Sequence, residues 1–241
     1  MILYGVTIDL QVVPVRLGSQ QMMECRDVFN SEKEAKARAE ELRALCAAAP
    51  GKEVPQAWLD VQAERRRQIT AEGWTPEHDD LYCAAELPRA AAAYILNGAN
   101  DEAPAIWSFS AKWWKPRDAR SNYVRAGALI LAEIERLDRA APGKEVPQAW
   151  LDVQAERRRQ ITAEGWTPEH DDLYCAAELP RAAAAYILNG ANDEAPAIWS
   201  FSAKWWKPRD ARSNYVRAGA LILAEIERLD RAAPGKEVGH E

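Results

Sequence analysis

Hydrophobic and polar positions follow two different rhythms along this chain. Through Leu3–Val15 (LYGVTIDLQVVPV) apolar residues partly alternate with polar ones and many are β-branched, which predicts a strand. Met22–Phe29 (MMECRDVF) is a second, shorter strand candidate. From Asn30 to Ala49 the period lengthens to that of a helix. Ser31 and Glu34 form a capping-box pattern, Pro50 closes the segment, and the apolar positions are sparse: Ala35, Ala39, Leu42, Leu45 and Cys46.

After this the helical rhythm persists. A first helix is expected over about Gln56–Ala71, with Trp58, Val61 and Ile69 apolar and Gly73 as its stop. A second covers Asp79–Leu96 and ends at Asn97-Gly98. Pro88 either kinks it or sits in the first turn of a fresh segment. A third starts at Asp118, a cap residue after Pro116, and runs to Arg139. Its stripe of Tyr123, Val124, Leu131, Ile134 and Leu137 is wide, and Gly127 with Ala128 allows another helix to approach closely. Between the second and third helices lies an aromatic loop holding Trp107, Phe109, Trp113 and Trp114.

The unit Ala48–Arg139 then recurs without a change at Ala140–Arg231. The heptapeptide AAPGKEV opens each copy and returns at Ala232–Val238, the pattern left by unequal recombination between short direct repeats. A period this long has the size of a domain rather than of a solenoid repeat. The expected fold is mainly α: a small ββα module (residues 1–47), two identical tandem three-helix domains (48–139 and 140–231), and a tail (232–241).

Composition narrows the function. Net charge is −6, so no overall positive field draws the chain to nucleic acid. No apolar run approaches the length of a membrane span. Cys25, Cys46, Cys83 and Cys175 make no C-x-x-C pair, so the expected compartment is a reducing cytoplasm.

Three stretches can carry chemistry. Glu64-Arg65-Arg66-Arg67-Gln68 reads as a solvated helix face with an internal ion pair, or as an anion site shared with Lys112, Lys115 and Arg117, because guanidinium grips phosphate bidentately. In EGWTPEHDD (Glu72–Asp80), His78-Asp79-Asp80 reads as a helix cap, or as a metal or general-base cluster with Glu86 on the same helix and Glu64 or Asp118 from another. Trp113-Trp114 reads as a core anchor, or as a surface on which a planar ligand stacks. Each has its copy. For the anion site these are Arg157, Arg158 and Arg159 with Trp205, Trp206, Lys207 and Arg209. For the metal cluster they are Glu156, His170, Asp171, Asp172 and Glu178.

The segments AERRRQITAEGWTPEHDDLYCAAELPRAAAAYIL and WWKPRDARSNYVRAGALILAEIERLDR resemble a family of small uncharacterised proteins of tailed phages and prophages, over nearly the whole repeat. The order of parts is more distantly similar to phage MazG-like nucleotide pyrophosphohydrolases. That resemblance implies Mg2+ held by an E-x-x-E and an E-x-x-D pair on facing helices. The chain departs from this pattern: Glu86 matches the first glutamate, but Arg89 stands three residues on, and the third helix offers Asn122, Tyr123 and Arg125 in place of carboxylates. Arginine among magnesium ligands opposes cation binding.

The resulting expectation is a phage-derived, non-enzymatic module in the host cytoplasm that binds a nucleotide-like or other anionic small molecule without a cofactor. Its site lies between Glu64–Gln68 and Trp113–Arg117. The alternatives are a Mg2+-dependent nucleotide pyrophosphohydrolase and a protein-interaction module acting on a host protein.

Overall fold

A computed structural model describes residues 2–6, 12–16, 27–47, 55–82, 84–141 and 149–233. The chain divides into two compact units, Met1–Glu53 and Val54–Glu241. Residues 48–54 at the start of repeat 1, residues 22–26 of the second expected strand, most of the tail, and Cys25 and Cys83 lie outside the described residues, as do the side chains of residues 41–47.

Among the described residues the first unit holds three strands where two were expected. β1 (Ile2–Val6) pairs antiparallel with β2 (Val12–Arg16) on one side and with β3 (Asp27–Phe29) on the other. The expected ββα module is therefore βββα. Leu3–Val15, read as one strand, is divided between β1 and β2, since as a single strand it would exceed the usual strand length of about 5–6 residues. Pro14 stands opposite Tyr4 in β2. It has no N–H to donate, and β2 is an edge strand, where that loss is tolerated. α1 (Glu32–Ala47) begins as its sequence requires, with the Glu34 N–H donating to Ser31 Oγ at 3.3 Å. Ala35 and Ala39 of α1 are buried with Val6.

In the second unit, repeat 1 forms α2 (Gln56–Glu72), the single turn α3 (Pro76–Asp79), α4 (Glu86–Asn97) and α5 (Ala119–Ala140). A 3-10 turn over Ala111–Trp113 lies in the aromatic loop. Repeat 2 forms the equivalents α6 (Ala149–Ala163), α7 (Pro168–Asp171), α8 (Glu178–Asn189) and α9 (Ala211–Ala232).

Local chemistry sets the helix ends. Gly73 closes α2 in the left-handed conformation (φ 75°), and the Trp74 N–H donates back to Gln68 O at 3.0 Å. A Cβ at Gly73 would meet nothing, so backbone conformation alone calls for glycine. Asp118 caps α5 by accepting the Ser121 N–H at 2.9 Å. The second expected helix is two pieces. Ala85 enters the left-handed region (φ 62°), and α4 starts afresh at Glu86 with Pro88 in its first turn.

A domain boundary is expected between Arg139 and Ala140, but the core runs across it. Leu129, Ile130 and Ile134 of α5 share one buried cluster with Leu221, Ile222 and Ile226 of α9. α4 packs on its own copy α8, and α5 on its own copy α9. A Cβ at Gly127 would lie 3.1 Å from Val61 of α2 and 3.6 Å from Ile222 of α9, which is the close approach expected at that glycine. Among the described residues no helix is long and apolar enough to cross a membrane.

Candidate functional site

The three consecutive arginines of α2 have three different fates. Arg65 turns inward. Its Nη2 lies 2.6 Å from Asp79 Oδ2 and 2.8 Å from Glu135 Oε2, so one side chain ties α2 to α3 and α5. Burial opposes the Arg65 charge, but the carboxylates of Glu135 and Asp79 more than offset it and hold the group above its ordinary value. Burial likewise pushes the Asp79 carboxyl up, with Arg65 drawing it back. Arg66 is exposed. Arg67 forks onto Glu64 at 2.7 and 2.8 Å and reaches Glu72 at 2.8 Å. The same pattern recurs at Arg157, Arg158 and Arg159, where Arg157 binds Asp171 at 2.6 Å.

This arrangement corrects the reading of EGWTPEHDD. The N-cap of α3 is Thr75, whose Oγ1 accepts the His78 N–H at 3.4 Å; neither aspartate is the N-cap, and Asp80 closes the C-terminal end through its backbone N–H. Asp79 is the buried partner of Arg65, and Asp80 pairs with Arg139 at 2.8 Å. Glu86 accepts the Ala84 N–H at 2.8 Å. Glu64 is held by Arg67. The metal set Glu64, His78, Asp79, Asp80 and Glu86 therefore does not converge, and neither does Glu156, His170, Asp171, Asp172 and Glu178. Among the described residues no three His, Cys, Asp or Glu side chains gather where an ion could sit.

Two hollows flank the Trp74–Trp113 pair, whose rings meet edge to face at 6.1 Å. The first, about 270 Å3, is aromatic and lies over the corner, between His78, Tyr82, Phe109 and Trp113; its copy is about 370 Å3. Tyr82 links His78 (5.3 Å) to Phe109 (5.1 Å) by edge contacts. His78 Nδ1 is buried and has no partner among the described residues, as is true of His170 Nδ1.

The second hollow lies between α2 and the loop, at the place the sequence suggested. In repeat 2 it measures about 310 Å3, with Arg159, Trp205, Lys207 and Arg209 on its walls. In repeat 1 the corresponding hollow is narrower, about 30 Å3, and is lined by Arg67, Trp113 and Lys115, while Arg117 lines the open groove that adjoins it. Lys112 and Lys115 hold their ammonium groups 5.4 and 5.3 Å from the Trp113 ring centre. Gln68, almost fully buried, also lines this hollow, and its Oε1 has no partner among the described residues.

Part of the expected ligand set does not reach the hollow. Arg65 and Arg157 are consumed by buried ion pairs. Arg66 and Arg158 point elsewhere, Arg158 lying over the Trp58 ring at 5.9 Å. Trp114 and Trp206 are core residues. Trp114 stacks on Tyr94 at 4.7 Å and donates its indole N–H to Asn100 O at 3.0 Å, and Trp206 repeats both contacts.

Sequence reasoning missed Arg125, Tyr94 and Glu72. Arg125 comes from α5, lies 5.7 Å over the Tyr94 ring and donates to Lys115 O. It stands where the MazG-like pattern has a carboxylate, and its spacing from Tyr123 and Val124 puts it beside the apolar stripe, but neither signal placed it at a hollow. Glu72 is held below its ordinary pKa, first by its hydrogen bond from Arg67 and further by the charges of Lys115 and Arg125. No protein-family model matches this chain, and no curated protein or solved structure matched it either.

Proposed function

We propose that each repeat is a non-enzymatic binding module for a small anionic molecule with a planar part, taken up in the hollow between α2 and the aromatic loop. One observation carries this reading. Lys207, Arg209 and Arg217 line that hollow beside Trp205 and Tyr186, and none of the three has a carboxylate partner among the described residues. Cations at the edge of a π surface that make no close ion pair among the described residues suit a phosphate or carboxylate attached to a ring, with Glu164 on the same wall within reach of the charges of Lys207 and Arg217. Arg159 is different: it is spent on Glu156 and Glu164, so it shapes the wall and leaves the anion to the others. The nucleotide-like ligand suggested by the phage resemblance belongs to this class. Magnesium-dependent hydrolysis has less support, because Asp79, Asp80 and Glu64 each already hold an arginine.

A thermal-shift panel of nucleoside mono-, di- and triphosphates and cyclic nucleotides, with and without Mg2+, tests the proposal. A ligand at one hundred times its Kd adds about 2.7 kcal/mol of stability. Calorimetry with a hit is expected to give two equivalent sites per chain. Lys115→Glu removes one, Lys115→Glu with Lys207→Glu removes both, and Arg66→Ala leaves both intact. A panel without a single stabilising anion overturns the reading, as does equal loss in Arg66→Ala. Phosphate release in the presence of Mg2+ would move the hydrolase ahead.

A further inference from the structure

The contacts between the two repeats are reciprocal. Arg120 of repeat 1 binds Asp230 of repeat 2, and the corresponding Arg212 of repeat 2 binds Asp138 of repeat 1. Each arginine also reaches an aspartate of its own repeat, Asp60 at 2.7 Å and Asp152 at 2.6 Å. Gly127 faces Ile222, and Gly219 faces Ile130. α4 meets its copy α8, and α5 meets its copy α9. At the centre one residue meets itself: Trp58 and Trp150 touch edge to face with ring centres 5.6 Å apart. If residue i of one body touches j of the other, and j touches i, the two are related by a two-fold axis and the face is self-complementary.

This face is also core rather than rim. Ala90–Ala93 of α4 and Ala182–Ala185 of α8 are all fully buried, as are Ile130 and Ile222. A surface this apolar cannot be left open to water without cost.

We infer that the 92-residue repeat is a self-pairing unit, whose partner is a second copy of itself, and that this chain is such a pair joined end to end. The two faces are identical in sequence, so either repeat accepts a copy of either.

The test uses the full chain with a protease site inserted between Ala141 and Ala149 and cut after purification. Native mass spectrometry is expected to show the two halves still associated. After the cut sample is unfolded in guanidinium and refolded, three pairings are expected in roughly the statistical 1:2:1 ratio: N-half with N-half, mixed, and C-half with C-half. A second version carries Arg120→Asp and Asp230→Arg. Mixed pairs keep opposite charges at both bridges, whereas each like pair sets two equal charges against each other. Mixed pairs are then expected to dominate, with the like pairs suppressed at least tenfold. Halves that separate or unfold on cutting overturn the inference. So do wild-type halves that form only the mixed pair, and like pairs that persist despite the reversed charges, because those would arise from another face.

Discussion

Trp58 and Trp150 are the same position of the same repeat, yet they live differently. Trp58 is buried and donates its indole N–H to Glu227 at 2.5 Å, while Trp150 is only half-buried. Glu227 consequently serves both Arg157 and Trp58, whereas its counterpart Glu135 serves Arg65. Away from the axis the ion pairs and backbone agree closely, although the hollow beside the first long helix is about 30 Å3 in repeat 1 and about 310 Å3 in repeat 2. Arg65 and Arg157 bury the same ion pair, Ala85 and Ala177 adopt the same left-handed backbone, and His78 and His170 leave the same nitrogen without a partner among the described residues. Since the sequences are identical, the difference comes from position alone. Two indoles converging on one axis cannot both occupy the pocket beside it, so one takes it and the other moves toward solvent. The residues whose neighbour is their own copy are where identical sequence gives two environments.

The largest expected effect sharpens the agreement. Arg65→Leu leaves Asp79 as a buried charge without its counterion and should cost about 3–5 kcal/mol in urea unfolding. Arg157→Leu should cost the same within error, and unequal losses would break the equivalence of the repeats. The next effect sharpens the difference. Trp58→Phe gives up a hydrogen bond to a carboxylate and should cost about 1.5–3 kcal/mol, against well under 1 kcal/mol for Trp150→Phe. Equal costs would mean that the indoles exchange places freely. The smallest concerns the caps. Asp118→Ala and Asp210→Ala should each cost about 1 kcal/mol. Hydrogen bonds from Ser121 and Ser213 hold both carboxyls below their ordinary value. Their contribution is therefore present above the unfolded pKa of about 3.9 and drains away as pH falls through the lowered folded values. A cost for Asp118→Ala that stayed constant from pH 7 to pH 2 would count against this.

What could be read from the sequence divides along the same line. Ser31, Gly73 and Asp118 act on backbone within a few residues, so their roles at helix ends were visible in the letters. The placement of the hollow between α2 and the Trp113 loop was visible too, because the cations and indoles that line it sit in short runs. Arg65 was not legible. Nothing in Arg65-Arg66-Arg67 says which of the three turns inward, since that depends on Asp79 and Glu135, which only folding brings near. The same limit hid Arg125, and it assigned the cap of α3 to aspartates when Thr75 was closer to the bend. The shared core was hidden for a different reason: a wide apolar stripe on α5 looks the same whether it covers its own domain or a copy of itself.

The tryptophans on the axis have a consequence for inheritance. In a pair of separate identical chains, the residue at the axis is written once and appears twice, so any substitution there meets itself. Here Trp58 and Trp150 are encoded separately. A change at one leaves the other intact, so the two sides of the axis can drift apart, one toward packing and one toward the surface. The joined pair can explore asymmetry that a true pair of identical chains cannot.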